Sequence, residues 1–391
     1  MPIKLNIVIG IDKMCIFAHN ARVCVYIYAM DTELFLELLK IDSTSGKEAG
    51  LADFLAERLL AEHARVEKFE VGDGTKNLLF SWGEPKVVFC THLDTVPPYI
   101  PPVVSEEDGT VFYGRGTCDA KGQIFAMYEA CKALDAKGYD GFGLLLLAGE
   151  ETGSFGAKSF REQHPGAEWV IVGEPTDNCM ASASKGTKAF EVTFDGKAFH
   201  SGYPQYGLSA VEMFNDFMNA LRSIGFPQDE VLGDTTWNVG KLVSDNPQNI
   251  LSDRLTCRVY FRTTFESDEM VCNVMKNIAG EEAKLRFGRR KVQDGSDIAC
   301  KEVAQWQKCM SVRALGGDSP SRYQTLEGFP TKPVAFGSDA PQLTNFRRKI
   351  LCGPGSILVA HRPEEHISLS DLQKAKENYI HMYEILVDIK D

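Results

Sequence analysis

The sequence has no CxxC pair, no apolar run long enough to cross a membrane, and a deficit of basic residues. Its eleven cysteines are scattered singly, and an odd number of this kind indicates buried free thiols in a reducing compartment. No stretch approaches the roughly 20 apolar residues that a membrane helix needs. Residues 1–29 lack a continuous apolar segment and a small-residue cleavage site, so they do not predict a secretory signal. We therefore expect a cytoplasmic protein.

Lysine and arginine number 42 against 54 aspartates and glutamates, which gives a formal net charge of −12 at pH 7. A chain this acidic disfavours nucleic acid and anionic membranes as partners, because both are bound through Lys and Arg that replace counterions. It is compatible with small cationic or zwitterionic substrates and with a site that concentrates carboxylates around a metal. The 391 residues, 44% hydrophobic and 25% charged, are typical of a globular chain with about two domains.

Three short apolar runs predict buried strands, at residues 86–90 (KVVFC), 143–148 (GLLLLA) and 168–173 (EWVIVG). A helical stretch from Lys121 to Lys137 separates the first two runs. Continuous apolar runs separated by helices indicate a sheet covered on both faces, which binds its ligands beyond the carboxyl ends of the strands. We therefore expect an α/β catalytic domain with a helix-covered mixed sheet.

The pattern changes near Lys185, where apolar and polar residues begin to alternate. Phe190, Val192 and Phe194 share one face of a predicted strand, as in an antiparallel sheet with one face in solvent. This predicts an α+β domain inserted into the first. Residues 1–29 match no motif and lack amphipathic order, so we expect the natural start of the chain at Met30. The expected domains are an N-terminal extension outside the fold (1–29), a catalytic domain (30–184 and 291–391) and the inserted domain (185–290).

Five clusters of acidic residues and histidines stand at predicted turns. Each alone is weak evidence, because a single histidine after a strand is more often structural and paired glutamates are usually a solvated turn. Together they place His, Asp, Glu, Glu and His at one edge of the sheet, a set that divalent metals take as ligands. The clusters are THLDT (91–95), GRGTCDAKG (114–122), AGEETG (148–153), VGEPT (172–176) and AHRPEEH (360–366).

These clusters resemble the motifs of the M20 family of metallo-aminoacylases and carboxypeptidases. The resemblance spans residues 31–391 in the family's order, and the family's two-domain layout matches the inserted segment. GSDAP (337–341) and GPGS (353–356) are most similar to the branch of acetylornithine deacetylase and succinyl-diaminopimelate desuccinylase. The motifs that carry the resemblance are HLDTVP, GRGTCDAKG, GEETGSFGA, GEPT, GKAFHSG, and GPGS followed by AHRPEEH.

The resemblance implies a dinuclear metal site. His92 and Glu174 would hold one ion, Glu151 and His361 would hold the other, and Asp119 would bridge the two. Two cations about 3.5–4 Å apart need a shared carboxylate to offset their repulsion, and water between them ionises near neutral pH. Zinc is the expected metal, and the same ligands also admit cobalt or manganese.

Two further carboxylates are left for other roles. The resemblance implies that Glu150 is the general base, so that one of two consecutive glutamates binds metal while the other reaches the water. It also implies that Asp94 accepts a hydrogen bond from the far ring nitrogen of His92 and so fixes the tautomer. A cis peptide bond is expected between Asp119 and Ala120.

The inserted domain is expected to act as a lid and dimerisation domain. The resemblance implies that His200 stabilises the oxyanion formed from the scissile carbonyl, acting across the interface of a homodimer. Asn249 and Arg262 match positions that contact the substrate carboxylate, although Tyr260 replaces the aspartate usual two residues before the arginine. The residues expected at the pocket floor are Ser338, Asp339, Gly353 and Gly355.

The expected function is hydrolysis of the amide bond of an N-acyl amino acid, similar to N-acetylornithine deacetylation in arginine biosynthesis. Two alternatives within the family are a succinyl-diaminopimelate desuccinylase and a dipeptidase or carboxypeptidase. An alternative of another class is a non-catalytic binding protein on the same fold. The presence of every expected ligand and of the base favours an enzyme.

Overall fold

The computed structural model describes residues 30–59, 63–72, 74–107, 109–278 and 309–388 with their side chains, and the backbone of 6–10, 13–18 and 21–25. The chain divides into two compact units. The first unit comprises Met1–Ala181, Tyr323–Thr331 and Ser338–Asp391, and the second comprises Ser182–Arg322 and Lys332–Gly337.

The first unit begins with three antiparallel strands and continues with two helices. The N-cap of the first helix is Asp31, whose side chain accepts a hydrogen bond from the backbone N–H of Leu34 at 3.1 Å. The buried residues of this helix lie at helical spacing and face the core. The elements are β1 (Asn6–Gly10), β2 (Lys13–Ala18), β3 (Ala21–Val25), α1 (Thr32–Lys40) and α2 (Ala49–Arg58).

A six-stranded mixed sheet forms the centre of the first unit. Its order is β18-β10-β6-β9-β5-β4, with the first four strands parallel and the last two antiparallel to their neighbours. The strands are β4 (Arg65–Gly72), β5 (Thr75–Trp82), β6 (Val87–His92), β9 (Phe142–Leu147), β10 (Trp169–Val172) and β18 (Arg348–Leu351).

Helices cover both faces of this sheet. Every residue of β6, β9 and β10 is buried, as their continuous apolar runs predict. Phe89 and Phe125 belong to the core that α1, α2, α3 (Lys121–Ala136) and α7 (Leu369–Asp388) form on one face. Phe160 of α4 (Phe155–Gln163) is buried and contacts Phe69 edge-on, with ring centroids 5.2 Å apart.

The described residues also form two small three-stranded sheets. One has the order β19-β8-β7, and the other has the order β16-β11-β17. The strands are β7 (Val103–Val104), β8 (Val111–Tyr113), β11 (Met180–Ser184), β16 (Ser321–Arg322), β17 (Thr331–Val334) and β19 (His366–Ser368).

The second unit contains a four-stranded antiparallel sheet of order β13-β14-β12-β15. Along β12, Phe190, Val192 and Phe194 are buried while the residues between them are partly exposed. These side chains form one core with apolar residues of two helices that follow β12 in the chain. The elements are β12 (Gly186–Asp195), β13 (Thr236–Val243), β14 (Arg254–Thr263), β15 (Met310–Gly316), α5 (Ala210–Arg222) and α6 (Asp268–Ile278).

The expected fold class is confirmed: a helix-covered mixed sheet and a separate unit with an antiparallel sheet. The second unit differs from the expected inserted domain in its extent. It begins at Ser182 and continues to Arg322, because β15 pairs with β12 and extends the antiparallel sheet. The boundary expected at residues 290 and 291 lies outside the described residues.

No helix among the described residues is both long and apolar enough to cross a membrane. Five cysteines are buried among the residues that the structure describes with their side chains. Those five are Cys90, Cys118, Cys131, Cys257 and Cys352.

Candidate metal centre

Four of the candidate residues lie at the carboxyl ends of three neighbouring parallel strands. His92 is the last residue of β6, Glu150 and Glu151 follow β9, and Glu174 follows β10. Because β9 and β10 both pair with β6 in parallel, their carboxyl ends lie at the same edge. His92 and Glu174 are almost completely buried there.

The carboxylate of Asp119 lies between two histidines from distant parts of the sequence. Its Oδ1 is 2.9 Å from Nε2 of His92, and its Oδ2 is 3.2 Å from Nε2 of His361. Nε2 of His361 also lies 2.9 Å from Oε1 of Glu151. One carboxylate therefore contacts two imidazoles through different oxygens, which suits a ligand shared between two ions. The Asp119–Ala120 peptide bond is cis, as expected.

The donor atoms are close enough to bind a metal ion. His92, Asp119 and Glu151 each offer one ligand atom within 4.8 Å of the other two. Imidazole nitrogens and carboxylate oxygens are common ligands of zinc, cobalt and manganese.

The electrostatics of this cluster also fit cations. Burial alone would lower the pKa of His92, but its hydrogen bonds to Asp119 and Asp94 raise it well above its ordinary value. Hydrogen bonds to Asp119 and Glu151 raise the pKa of His361 to about 10. Burial, reinforced by the neighbouring acids, raises the pKa of Glu174 well above the usual range of a carboxyl group. Carboxyl groups buried so close together are stabilised by divalent ions.

Asp94 contacts His92 differently from the expected arrangement. The nearest acceptor for Nδ1 of His92 is the backbone carbonyl oxygen of Asp94 at 2.8 Å, while Oδ1 of its carboxylate is 3.5 Å away. The carboxylate accepts hydrogen bonds from the backbone N–H groups of Glu150 (2.9 Å) and Glu151 (3.2 Å), and from the hydroxyl of Ser45 (2.8 Å). Asp94 thus orients the imidazole through its main chain and the two glutamates through its side chain.

The second unit contains the remaining polar candidates. His200 is exposed, and the backbone N–H of Ser201 donates to the carbonyl of Asn249 at 2.9 Å, so these two candidates lie on adjacent segments. Arg262 lies on β14, and its guanidinium stacks on the ring of Tyr260 at 5.0 Å. Tyr260 thus supports the arginine in place of the aspartate usual at that position.

The expected pocket-floor residues are buried in the first unit. A Cβ on Gly353 would lie 2.2 Å from Oε1 of Gln123 and 2.6 Å from the carbonyl oxygen of Glu174, and one on Gly355 would lie 2.6 Å from Sγ of Cys118. Both glycines therefore allow close packing against the segments that carry Glu174 and Asp119. Ser338 and Asp339 are also buried.

Sequence analysis assigned no role to three residues that contact the site. Ser45 contacts Asp94, and Arg115 and Glu365 form a buried ion pair beside the turn that carries Asp119. Arg115 and Glu365 lie within GRGTCDAKG and AHRPEEH, so the signal was present in the motif letters. Ser45 belongs to a polar segment whose sequence predicts only a turn, so no pattern marked it.

Comparison with known proteins agrees with the geometry of this centre. Residues 88–384 match the model of the peptidase family M20/M25/M40. A peptidase M20 domain-containing protein of Schizosaccharomyces pombe is 32% identical over 365 residues, which cover 89% of this chain and 83% of that protein. A probable carboxypeptidase of Aspergillus clavatus is 29% identical over 378 residues, covering 88% and 85% of the two chains.

The fold is also similar to that of a tripeptidase from Staphylococcus aureus. The two structures superpose with a TM-score of 0.73 at 20% sequence identity, over 92% of this chain and 98% of the tripeptidase. The chain belongs to the peptidase family M20/M25/M40 and is a metallohydrolase of that family.

Proposed function

We propose that this chain uses two divalent metal ions to hydrolyse the amide bond of an N-acyl amino acid. The observation that carries the proposal is the Asp119 carboxylate, which presents one oxygen to His92 and the other to His361. His92 and Glu174 would hold one ion, and Glu151 and His361 would hold the other. When bound, the two ions would polarise the scissile carbonyl and lower the pKa of a water molecule.

Glu150 is the proposed general base. The Asp94 carboxylate accepts hydrogen bonds from the backbone N–H groups of both Glu150 and Glu151, which fixes the two consecutive glutamates relative to each other. Glu151 contributes an atom to the close group with His92 and Asp119, which favours Glu151 as the metal ligand of the pair. Glu150 would then be left to take a proton from the attacking water and to pass it to the leaving amine.

The proposed substrate carries a free carboxylate on the amine side of its scissile bond. Arg262 is the proposed partner of that carboxylate, because a guanidinium forms two parallel hydrogen bonds with it, and Asn249 would assist. Within the described ranges no acidic side chain pairs with Arg262. N-acetylornithine is the first substrate we propose, in keeping with the deacetylase-like motifs GSDAP and GPGS.

A carboxypeptidase or dipeptidase activity is the second candidate. It is favoured by the names of similar proteins, which include a probable carboxypeptidase and a tripeptidase. A C-terminal peptide bond also has a free carboxylate on its amine side, so the same residues would serve both reactions. The two candidates differ in the acyl group, which is small in one and a peptide in the other.

We also propose that the active form is a cytoplasmic homodimer joined through the second unit. In this assembly His200 would stabilise the oxyanion of the partner's site. Large apolar side chains surround His200 and are exposed, which favours a protein partner for this surface. These side chains are Phe199, Tyr203, Tyr206 and Ile250.

A substrate panel tests the proposed reaction. We expect N-acetylornithine to be cleaved faster than N-succinyl-diaminopimelate or dipeptides, and the α-amide of N-acetylornithine to be a much poorer substrate because it lacks the carboxylate. Amine release would be followed for each compound with the full chain. EDTA should abolish the activity, and Zn²⁺ or Co²⁺ should restore it. Faster cleavage of dipeptides would favour the second candidate, and no hydrolysis of any compound would favour a binding protein.

Replacing the base should separate catalysis from metal binding. Glu150→Gln removes proton transfer only, so we expect both metals to remain bound while kcat falls by about 10²–10⁴-fold. The matched variant is Glu151→Gln, which alters the neighbouring residue and should lose metal from one site. Elemental analysis and steady-state kinetics on both variants are the measurements. A near-normal kcat in Glu150→Gln would rule out Glu150 as the base.

Mixing two inactive variants tests whether His200 acts across a dimer interface. His200→Ala and Glu150→Gln should each be nearly inactive as pure proteins. After subunit exchange, a hybrid dimer would have one site with both residues intact, so we expect the mixture to regain activity. Labelled subunits would verify the exchange. A mixture that stays inactive after exchange would show that His200 does not act in trans.

A further inference from the structure

The turn that carries Asp119 is held by one buried carboxylate outside the metal-ligand set. Oε1 of Glu365 accepts hydrogen bonds from the backbone N–H groups of Gly116 (2.9 Å), Cys118 (3.1 Å) and Asp119 (3.2 Å). The Glu365 side chain is fully buried. Three N–H groups that converge on one oxygen restrict the backbone of this turn up to Asp119 itself.

Arg115 supplies the positive charge that burial of Glu365 requires. Its Nη1 donates to Oε2 of Glu365, and its side chain is as buried as that of its partner. The same guanidinium donates to the backbone carbonyls of Pro98 (3.3 Å) and Arg362 (3.4 Å). A buried carboxylate without such a partner would be costly, so the ion pair with Arg115 offsets the burial of Glu365 beside the turn.

Glu365 also connects the turn to the segment that carries His361. Its backbone carbonyl accepts a hydrogen bond from the N–H of Gly114 at 2.9 Å, and His361 lies four residues before it. The residue therefore ties together the backbones that present the Asp119 carboxylate and the His361 imidazole, which lie 3.2 Å apart. The adjacent Glu364 is exposed and pairs only loosely with Arg362, at 3.7 Å.

We propose that Glu365 is a positioning residue that sets the Asp119 carboxylate for shared metal binding. It would act through its hydrogen bonds to the turn, while Arg115 supplies charge balance. The inference rests on the proposed dinuclear function. If Glu365 only stabilised the fold, its ion pair with Arg115 would account for its role. Replacing either partner would then have the same effect on metal affinity, whereas a positioning role predicts a larger loss when Glu365 is replaced.

The test compares metal affinity with stability in variants of the full chain. In Glu365→Gln, a neutral amide oxygen replaces the charged acceptor, and its NH₂ group faces Arg115. We expect Zn²⁺ affinity, measured by competition with a chelating dye, to fall about 10–100-fold, as for other partners of metal ligands. Arg115→Gln breaks the same ion pair but leaves the acceptor of the three turn N–H groups in place, so it should lose less affinity than Glu365→Gln. Both variants should lower the melting temperature of the metal-free protein.

Glu364→Gln is the matched control, because it removes a carboxylate one position away without touching the turn. It should leave Zn²⁺ affinity and melting temperature unchanged. Unchanged affinity in Glu365→Gln, or equal losses in Glu365→Gln and Arg115→Gln, would overturn the inference. If Glu365→Gln does not fold, Glu365→Asp keeps the charge and shortens the side chain: lowered affinity supports positioning, and wild-type affinity refutes it. A wild-type protein that binds no Zn²⁺ would overturn the proposed function as well.

Discussion

The shared carboxylate of Asp119 is the contact on which the rest of the site depends. Its two oxygens meet imidazoles from β6 and from the segment before β19, which are far apart in sequence. The order of the central sheet places β6 between β9 and β10, so the glutamates that follow those strands reach the same edge as His92. The fold therefore brings the residues of the candidate metal centre together around one side chain.

Burial raises the free-energy cost of bringing these ionisable groups together. Burial, followed by repulsion from neighbouring acids, raises the pKa values of Glu150 and Glu174 well above the usual range of a carboxyl group. Hydrogen bonds of backbone groups position several of these side chains. The main-chain carbonyl of Asp94 orients His92, its carboxylate fixes the N–H groups after β9, and Glu365 fixes the N–H groups before α3. His92, Glu151 and Asp119 are thus each contacted by a group outside the proposed ligand set.

The sequence predicts the strand ends well and the supporting contacts poorly. KVVFC and GLLLLA are apolar on both faces, so they identify buried strands, and His92 and Glu150 follow at once. The role of Ser45 depends on a hydroxyl that meets the Asp94 carboxylate only in the folded chain, and the role of Glu365 depends on backbone N–H groups far away in sequence. The pairing of β15 with β12 is not predicted either, because β15 is an edge strand whose side chains are partly or fully exposed.

The most direct test of this account is an anomalous-scattering structure of the zinc-loaded protein. It should show two ions about 3.5–4 Å apart, with one oxygen of Asp119 on each. His92 and Glu174 should complete the contacts of one ion, and Glu151 and His361 those of the other. A single ion, or two ions that Asp119 does not share, would contradict the central claim.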